Sequence, residues 1–204
     1  MNDYFVTGIG TDVGKTICSA ILVEALKADY WKPIQAGELE NTDSEKVKNL
    51  ISNRISKIHP EQFLLKAAMS PHAAAKLEGI EINVSDFKMP ETNNSLIIEG
   101  AGGLMVPLNA NGDLLIDARL KTEPEIILVS QNYLGSINHT LLTVDALKHR
   151  KLIIAGIIFN GTSNPESEEI ILKKSGLKCL GRIPQVEKID REFVLQQAKL
   201  FDKL

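Results

Sequence analysis

Gly8-Ile9-Gly10-Thr11-Asp12-Val13-Gly14-Lys15-Thr16 organises everything around it in this chain. Before it stands Asp3-Tyr4-Phe5-Val6-Thr7, a β-branched and aromatic run that reads as a buried first strand. After it, Ile17, Ala20, Ile21, Leu22 and Leu26 recur at helical spacing. Strand, glycine loop ending in Gly-Lys-Thr, then helix is the context a phosphate-binding P-loop needs. Glycines let N–H groups turn inward toward an anion, and the free N–H groups at the helix start add partial positive charge. In such a loop Lys15 reaches the outer phosphates and the Thr16 hydroxyl completes a Mg²⁺ shell. Five residues separate Gly8 from Gly14 where the usual pattern has four.

A chain of 204 residues is long enough for one α/β core and short for two, so residues 1–204 read as a single nucleotide-binding domain. A formal net charge of −3 argues against nucleic acid as a partner, because phosphate contacts need a basic surface. Cys18 and Cys179 lack metal-type spacing and read as buried thiols of a reducing compartment. No signal peptide is recognised, and the longest apolar run, Leu152 to Phe159, is too short to span a bilayer. The expected location is cytoplasmic, away from membranes.

Along the chain, Asp29 to Pro33 reads as a short second strand stopped by the proline, then a polar stretch from Gln35 to Ser44. A helical segment follows around Val47, Leu50 and Ile51; residues 54–70 read as irregular. Ser70-Pro71 opens a helix, with serine as cap and proline at the first helical position. Further strands are expected at Ser95 to Glu99, Glu125 to Ser130, Leu152 to Phe159 and Leu177 to Ile183. Helices are expected at Ser136 to His149, Pro165 to Ser175 and from Asp190. Apolar strands alternating with amphipathic helices indicate an α/β fold of the P-loop NTPase type, a mostly parallel sheet with helices on both faces. Ligands then bind beyond the carboxyl ends of the strands, where the P-loop, Lys32, Glu99 and Asn160 are all expected.

Glu99, ending an apolar strand before Gly100-Ala101-Gly102-Gly103, stands where P-loop proteins place a metal-binding carboxylate. Asp43 is a natural second carboxylate, though Thr42-Asp43-Ser44 reads equally as a helix cap. Lys32 beside a phosphate site stabilises charge on a transferred phosphoryl group; the alternative is a surface lysine. The Asn160 amide offers a purine edge one donor and one acceptor, whereas Asn160-Gly161 is also a turn signal. His72 and His139 have no ligand neighbours at metal spacing.

Taken in order, Phe5-Val6-Thr7-Gly8 with Thr11 to Thr16, Lys32-Pro33, Ser70-Pro71-His72, Glu99 to Gly103, Leu134-Gly135-Ser136-Ile137-Asn138-His139 and Gly181-Arg182-Ile183-Pro184 resemble dethiobiotin synthetase. The resemblance implies a homodimeric enzyme that uses ATP, Mg²⁺ and CO₂ to close a cyclic urea on 7,8-diaminononanoate. By the same resemblance, Lys15 and Lys32 are catalytic and Thr16, Asp43 and Glu99 hold Mg²⁺. ATP contacts fall to Asp12, Val13, Gly14, Lys15, Thr16, Ile17, Asp43, Glu99, Gly100, Ala101 and Gly102. Asn160, Gly161, Arg182, Ile183 and Pro184 frame adenine. The diamine meets Thr11, Lys32 and Ala36, and its carboxylate meets Leu134, Gly135, Ser136 and Asn138 across the subunit interface. Serine is common in the family at the position of Ala36, so Gln35 or a water is expected to supply the missing contact. Asp12 stands where glutamate is common and keeps the charge. Two other P-loop readings compete. An amide synthetase usually carries a glutaminase domain, for which this chain is too short. A partitioning-type switch ATPase expects a second lysine within positions 8–13, which hold none.

Overall fold

Five consecutive buried residues make β1 (Tyr4–Gly8) the spine of the sheet, with parallel neighbours on either side. In the computed structural model, which describes residues 2–118, 122–202 and 204, the chain continues through α1 (Lys15–Leu26), β2 (Asp29–Trp31), β3 (Ile34–Ala36) and α2 (Asp43–Leu50). Next come β4 (Ile58–His59), β5 (Phe63–Leu65), α3 (Pro71–Leu77) and β6 (Leu96–Gly103). Then follow β7 (Glu125–Gln131), α4 (Ser136–His149), β8 (Ile154–Gly161), α5 (Pro165–Ser175), β9 (Cys179–Pro184) and α6 (Arg191–Ala198). The main sheet runs β4-β2-β6-β1-β7-β8-β9, and every pairing in it is parallel.

Strand pleat sorts the core into two layers, because successive side chains face opposite ways. Val6, Tyr30, Ile97, Ile127 and Val129 join α1 and α6 on one face. Phe5, Trp31, Leu96, Ile98 and Ile126 join α3 and Leu147 of α4 on the other, while Leu128, Ile157 and Phe159 pack on α4 and α5. The same alternation places Glu99, two residues beyond Ile97, on the α1 face.

The structure departs from the sequence reading in six places. The Gln35–Ser44 stretch begins within β3, and residues 54–70 contain β4 and β5. β3 and β5 form a separate two-stranded parallel sheet. Such short strands leave no alternation to detect; Ile34 and Leu65, fully buried, hold them to the core. Glu99 does not follow its strand: it is the fourth of eight residues in β6, which pairs with β1 in register up to Val6–Glu99 and, after a register shift, again at Gly8–Gly103. Asn160 likewise lies inside β8. Ser70 does occupy the cap position of α3, but its hydroxyl pairs with His72 Nδ1 at 3.0 Å instead of capping. Cys18 is buried as expected, whereas Cys179 is only partly so.

The turn after α2 is pinned by a carboxylate. Buried Glu24 of α1 accepts from the Ser52 and Asn53 backbone N–H groups at 2.6 and 2.9 Å and from Lys27 Nζ at 2.8 Å. Burial pushes this carboxyl up, but those donors outweigh it and hold it below the usual carboxylate range. A depressed folded-state pKa gives stability that is complete above the unfolded value and is lost as pH falls through the folded one. Glu24→Gln is therefore expected to cost about 1–3 kcal/mol at pH 7. The gap from wild type should close on acidification, read from urea unfolding at neutral pH and at successively lower pH.

Candidate active site

The P-loop leaves β1 and enters α1 through Gly14, in the left-handed region at φ 91°. A β-carbon there would sit 2.1 Å from Asn160 Nδ2, so conformation and space both exclude a side chain. Asn160 Nδ2 donates to Val13 O at 3.0 Å, tying β8 to the loop. Lys15 is buried and folds back over the loop, donating to Gly10 O at 3.0 Å. Burial lowers its pKa; Glu99 opposes the shift and Lys32 adds to it.

Beneath the loop lies a buried ionic node. Lys32, just past β2, reaches Asp43 Oδ2 at 2.5 Å and Glu99 Oε1 at 3.0 Å. Glu99 is wholly buried; its Oε1 also accepts from Thr16 Oγ1 at 2.9 Å, and its Oε2 accepts from the Tyr30 hydroxyl at 2.9 Å. Burial alone would lower the Lys32 pKa, but Glu99 and Asp43 hold it above the usual lysine range. Burial likewise opposes ionisation of Asp43, yet Lys32 and then Lys46 keep its carboxyl below the usual value. The Tyr30 phenol is pushed well up by burial and by Glu99, so it remains a donor. Thr42 is the cap of α2, its Oγ1 accepting from Glu45 N at 3.2 Å; Asp43 is therefore spared that task and faces Lys32.

The charged members of this node and Lys15 line one cavity of about 710 Å³. Thr11, Asp12, Gly14, Lys15, Thr16, Ile17, Lys32, Ala36, Asp43, Glu99, Ala101 and Gly102 all face it. Val13 is buried behind the loop and Gly100 packs beside the Phe5 ring. Asn160 and Gly161 are register partners of Ile183 and Pro184. Arg182 turns elsewhere: its Nε pairs with buried Glu168 and its guanidinium lies 5.7 Å from the Phe159 ring centroid. Leu134, Gly135, Ser136 and Asn138 do not line the cavity; they form the β7–α4 corner, where Leu134 is fully exposed, Gly135 and Asn138 are exposed and Ser136 is buried. Gln35 also lines the cavity; its Nε2 donates to Gly37 O at 2.9 Å and its Oε1 accepts from Asp43 N at 3.2 Å, which leaves one N–H of the amide uncommitted by these bonds. Tyr30 is the member that sequence reasoning missed. Its signal was a phenol in a buried strand, which needs a partner for its hydroxyl.

The donors suit a small hard cation. Thr16 Oγ1 and Glu99 Oε1 stand 2.9 Å apart, the edge of an octahedron with bonds of about 2.0–2.1 Å. Among the described residues no group of three or more His, Cys, Asp or Glu could hold a metal. An incomplete oxygen set of this kind matches Mg²⁺, which keeps waters and takes phosphate oxygens.

Gly14→Ala is expected to weaken nucleotide binding at least tenfold, read by calorimetric titration, while the far-ultraviolet circular dichroism stays native. Wild-type affinity in that variant would show that the loop does not need its left-handed turn.

A family model described as AAA domain matches residues 2–193. Solved structures share the fold at low identity. The chain aligns with a putative plasmid partition protein from Borrelia burgdorferi at TM-score 0.58 and 12% identity, covering 98% of this chain and 95% of that one. With the cell division ATPase MinD of Pyrococcus furiosus the TM-score is 0.56 at 15% identity, with 100% and 99% covered. Sequence relatives are much nearer. The ATP-dependent dethiobiotin synthetase BioD of Cytophaga hutchinsonii is 55% identical over 99% of this chain and 98% of its own length. That of Christiangramia forsetii is 53% identical over 98% and 96%. The chain belongs to the dethiobiotin synthetase family.

Proposed function

We propose that the chain is an ATP-dependent cyclo-ligase that converts 7,8-diaminononanoate and CO₂ into dethiobiotin, releasing ADP and phosphate. The observation that carries this reading is Lys32, a buried cation beside the P-loop, braced between Asp43 and Glu99. One substrate amine attacks CO₂ to give a carbamate. The carbamate oxygen attacks the γ-phosphorus and displaces ADP. The second amine then attacks the carbonyl carbon of the mixed anhydride, expels phosphate and closes the urea. No protein nucleophile takes part, so the protein's work is positioning and charge stabilisation. Holding the reacting groups in attack geometry contributes up to ~7–11 kcal/mol. A helix terminus near an anion contributes only ~0.3–1 kcal/mol, so Lys15 and Lys32 carry most of the protein's share at the phosphate end. Thr16, Asp43 and Glu99 are the residues that would hold Mg²⁺, which supplies charge neutralisation on the phosphates.

In this reading the adenine lies by Asn160, Gly161, Ile183 and Pro184. The commitment of Asn160 Nδ2 to Val13 O makes its Oδ1 the atom that accepts from the adenine amine. Arg182 acts through its backbone, because its side chain is engaged by Glu168. Ala36 and Thr11 flank the diamine. Its carboxylate goes to the Leu134–Asn138 corner of a second subunit, since that corner is outside its own chain's cavity. Exposed Tyr133, Leu134 and Leu142 are the apolar surface expected at such a contact. The chain acts as one domain in a cytoplasmic homodimer.

The test is incubation with ATP, Mg²⁺, the diamine and labelled bicarbonate; label should appear in a cyclic urea, and ATP hydrolysis without labelled urea would overturn the reading. Lys32→Ala is expected to retain ATP binding and lose at least 100-fold in turnover, whereas Lys15→Ala loses both. Leu134→Asp is expected to shift sedimentation toward the monomer and raise KM for the diamine more than KM for ATP.

A further inference from the structure

Tyr30 takes no part in the steps above, yet its hydroxyl settles how Glu99 meets a cation. Its ring is fully buried in the apolar layer shared by Val6 and Ile97. β2 and β6 pair with Tyr30 opposite Ile97, so the pleat puts Tyr30 and Glu99 on one face. Within that layer the phenol donates to Glu99 Oε2 at 2.9 Å, while Oε1 accepts from Thr16 Oγ1 at 2.9 Å and Lys32 Nζ at 3.0 Å. The carboxylate is thereby divided: one oxygen is held by the core and the other faces the P-loop.

Building on the reading of Glu99 as a Mg²⁺ ligand, we propose that Tyr30 is a positioning residue that makes Glu99 a one-oxygen ligand and so favours Mg²⁺ over the larger Ca²⁺. Ca²⁺ takes six to eight oxygens and readily uses both oxygens of one carboxylate, whereas Mg²⁺ takes six at shorter range, one per carboxylate. Turning Glu99 to offer both oxygens would take Oε2 from the phenol and leave a buried hydroxyl without a partner, which is costly. Single-oxygen coordination through Oε1 leaves the phenol bond intact. The penalty thus falls on the coordination mode that Ca²⁺ uses.

The experiment measures binding of a fluorescent ADP analogue in Mg²⁺, in Ca²⁺ and in a chelator, for wild type, Tyr30→Phe and Glu99→Gln. Wild type should bind more tightly with Mg²⁺ than with Ca²⁺. Tyr30→Phe keeps the ring and removes the hydroxyl; its chelator affinity should match wild type while the Mg²⁺-to-Ca²⁺ affinity ratio falls by about tenfold. Tyr30→Leu, which also lacks the hydroxyl, should show the same fall and carries the test if the first variant is insoluble. An unchanged ratio overturns the proposal, and so does an equal loss under all three conditions, the mark of a purely structural role. Glu99→Gln separates the two claims. If Mg²⁺ still tightens binding to that variant as it does to wild type, the assignment of Glu99 as a ligand fails. If it does not, yet Tyr30→Phe keeps the wild-type ratio, only the role of Tyr30 fails.

Discussion

A lysine ammonium buried between two carboxylates is the interaction on which the rest of the structure depends. Taking charges out of water costs several kcal/mol per ion, and the cost is recovered only with close partners and satisfied hydrogen bonds. Here Lys32 has Asp43 and Glu99, and Glu99 has Thr16 and Tyr30 as further donors. Adding Lys15 above them gives two positive and two negative charges, a balanced set. The members come from four distant stretches: the P-loop helix, the end of β2, the first turn of α2 and the middle of β6. They meet only because β2, β6 and β1 lie side by side in that order. Sheet order and charge balance are one constraint seen at two scales.

How much of this the sequence disclosed follows from how local each determinant is. Gly14-Lys15-Thr16 was legible because the left-handed glycine, the helix start and the phosphate chemistry all lie within a few residues. The parallel sheet was legible because β1, β7 and β8 are continuous apolar runs buried on both faces. Glu99 was found as a residue but misplaced as a strand end. Gly-Ala-Gly-Gly reads as a loop, and it regains a β1 partner only at Gly103, past a register shift and a left-handed Gly102. β3 and β5 were missed since three residues carry no period, and their pairing joins segments nearly thirty residues apart.

The polar side chains divide along the same line. Thr42 and Asp43 were ambiguous as a pair because either can cap a helix; the contest is settled by Lys32, a partner eleven residues away in sequence. Asn160 was chosen for its two-sided amide, but one side is spent on the P-loop backbone. Gln35 is partly committed in the same way, between Gly37 and Asp43. An amide or carboxylate in a sequence advertises capacity, and only the fold shows how much of it is already taken.

The fold by itself does not choose a reaction. Structures named as partition and cell-division ATPases share it at 12–15% identity, and a shared fold carries no shared chemistry with it. What narrows the chemistry is the group that each chain brings to that fold. In this one it is a buried lysine at the end of β2, held in place by Asp43 and Glu99, which raise its pKa above the usual lysine range. Such a cation needs no reorganisation as negative charge builds on a transferred phosphoryl oxygen, and a water-excluded setting strengthens its effect. A surface lysine would have to shed its hydration first. In the proposed reaction, burial of Lys32 between Asp43 and Glu99 is what would suit this nucleotide-binding edge to phosphoryl transfer onto a small anion.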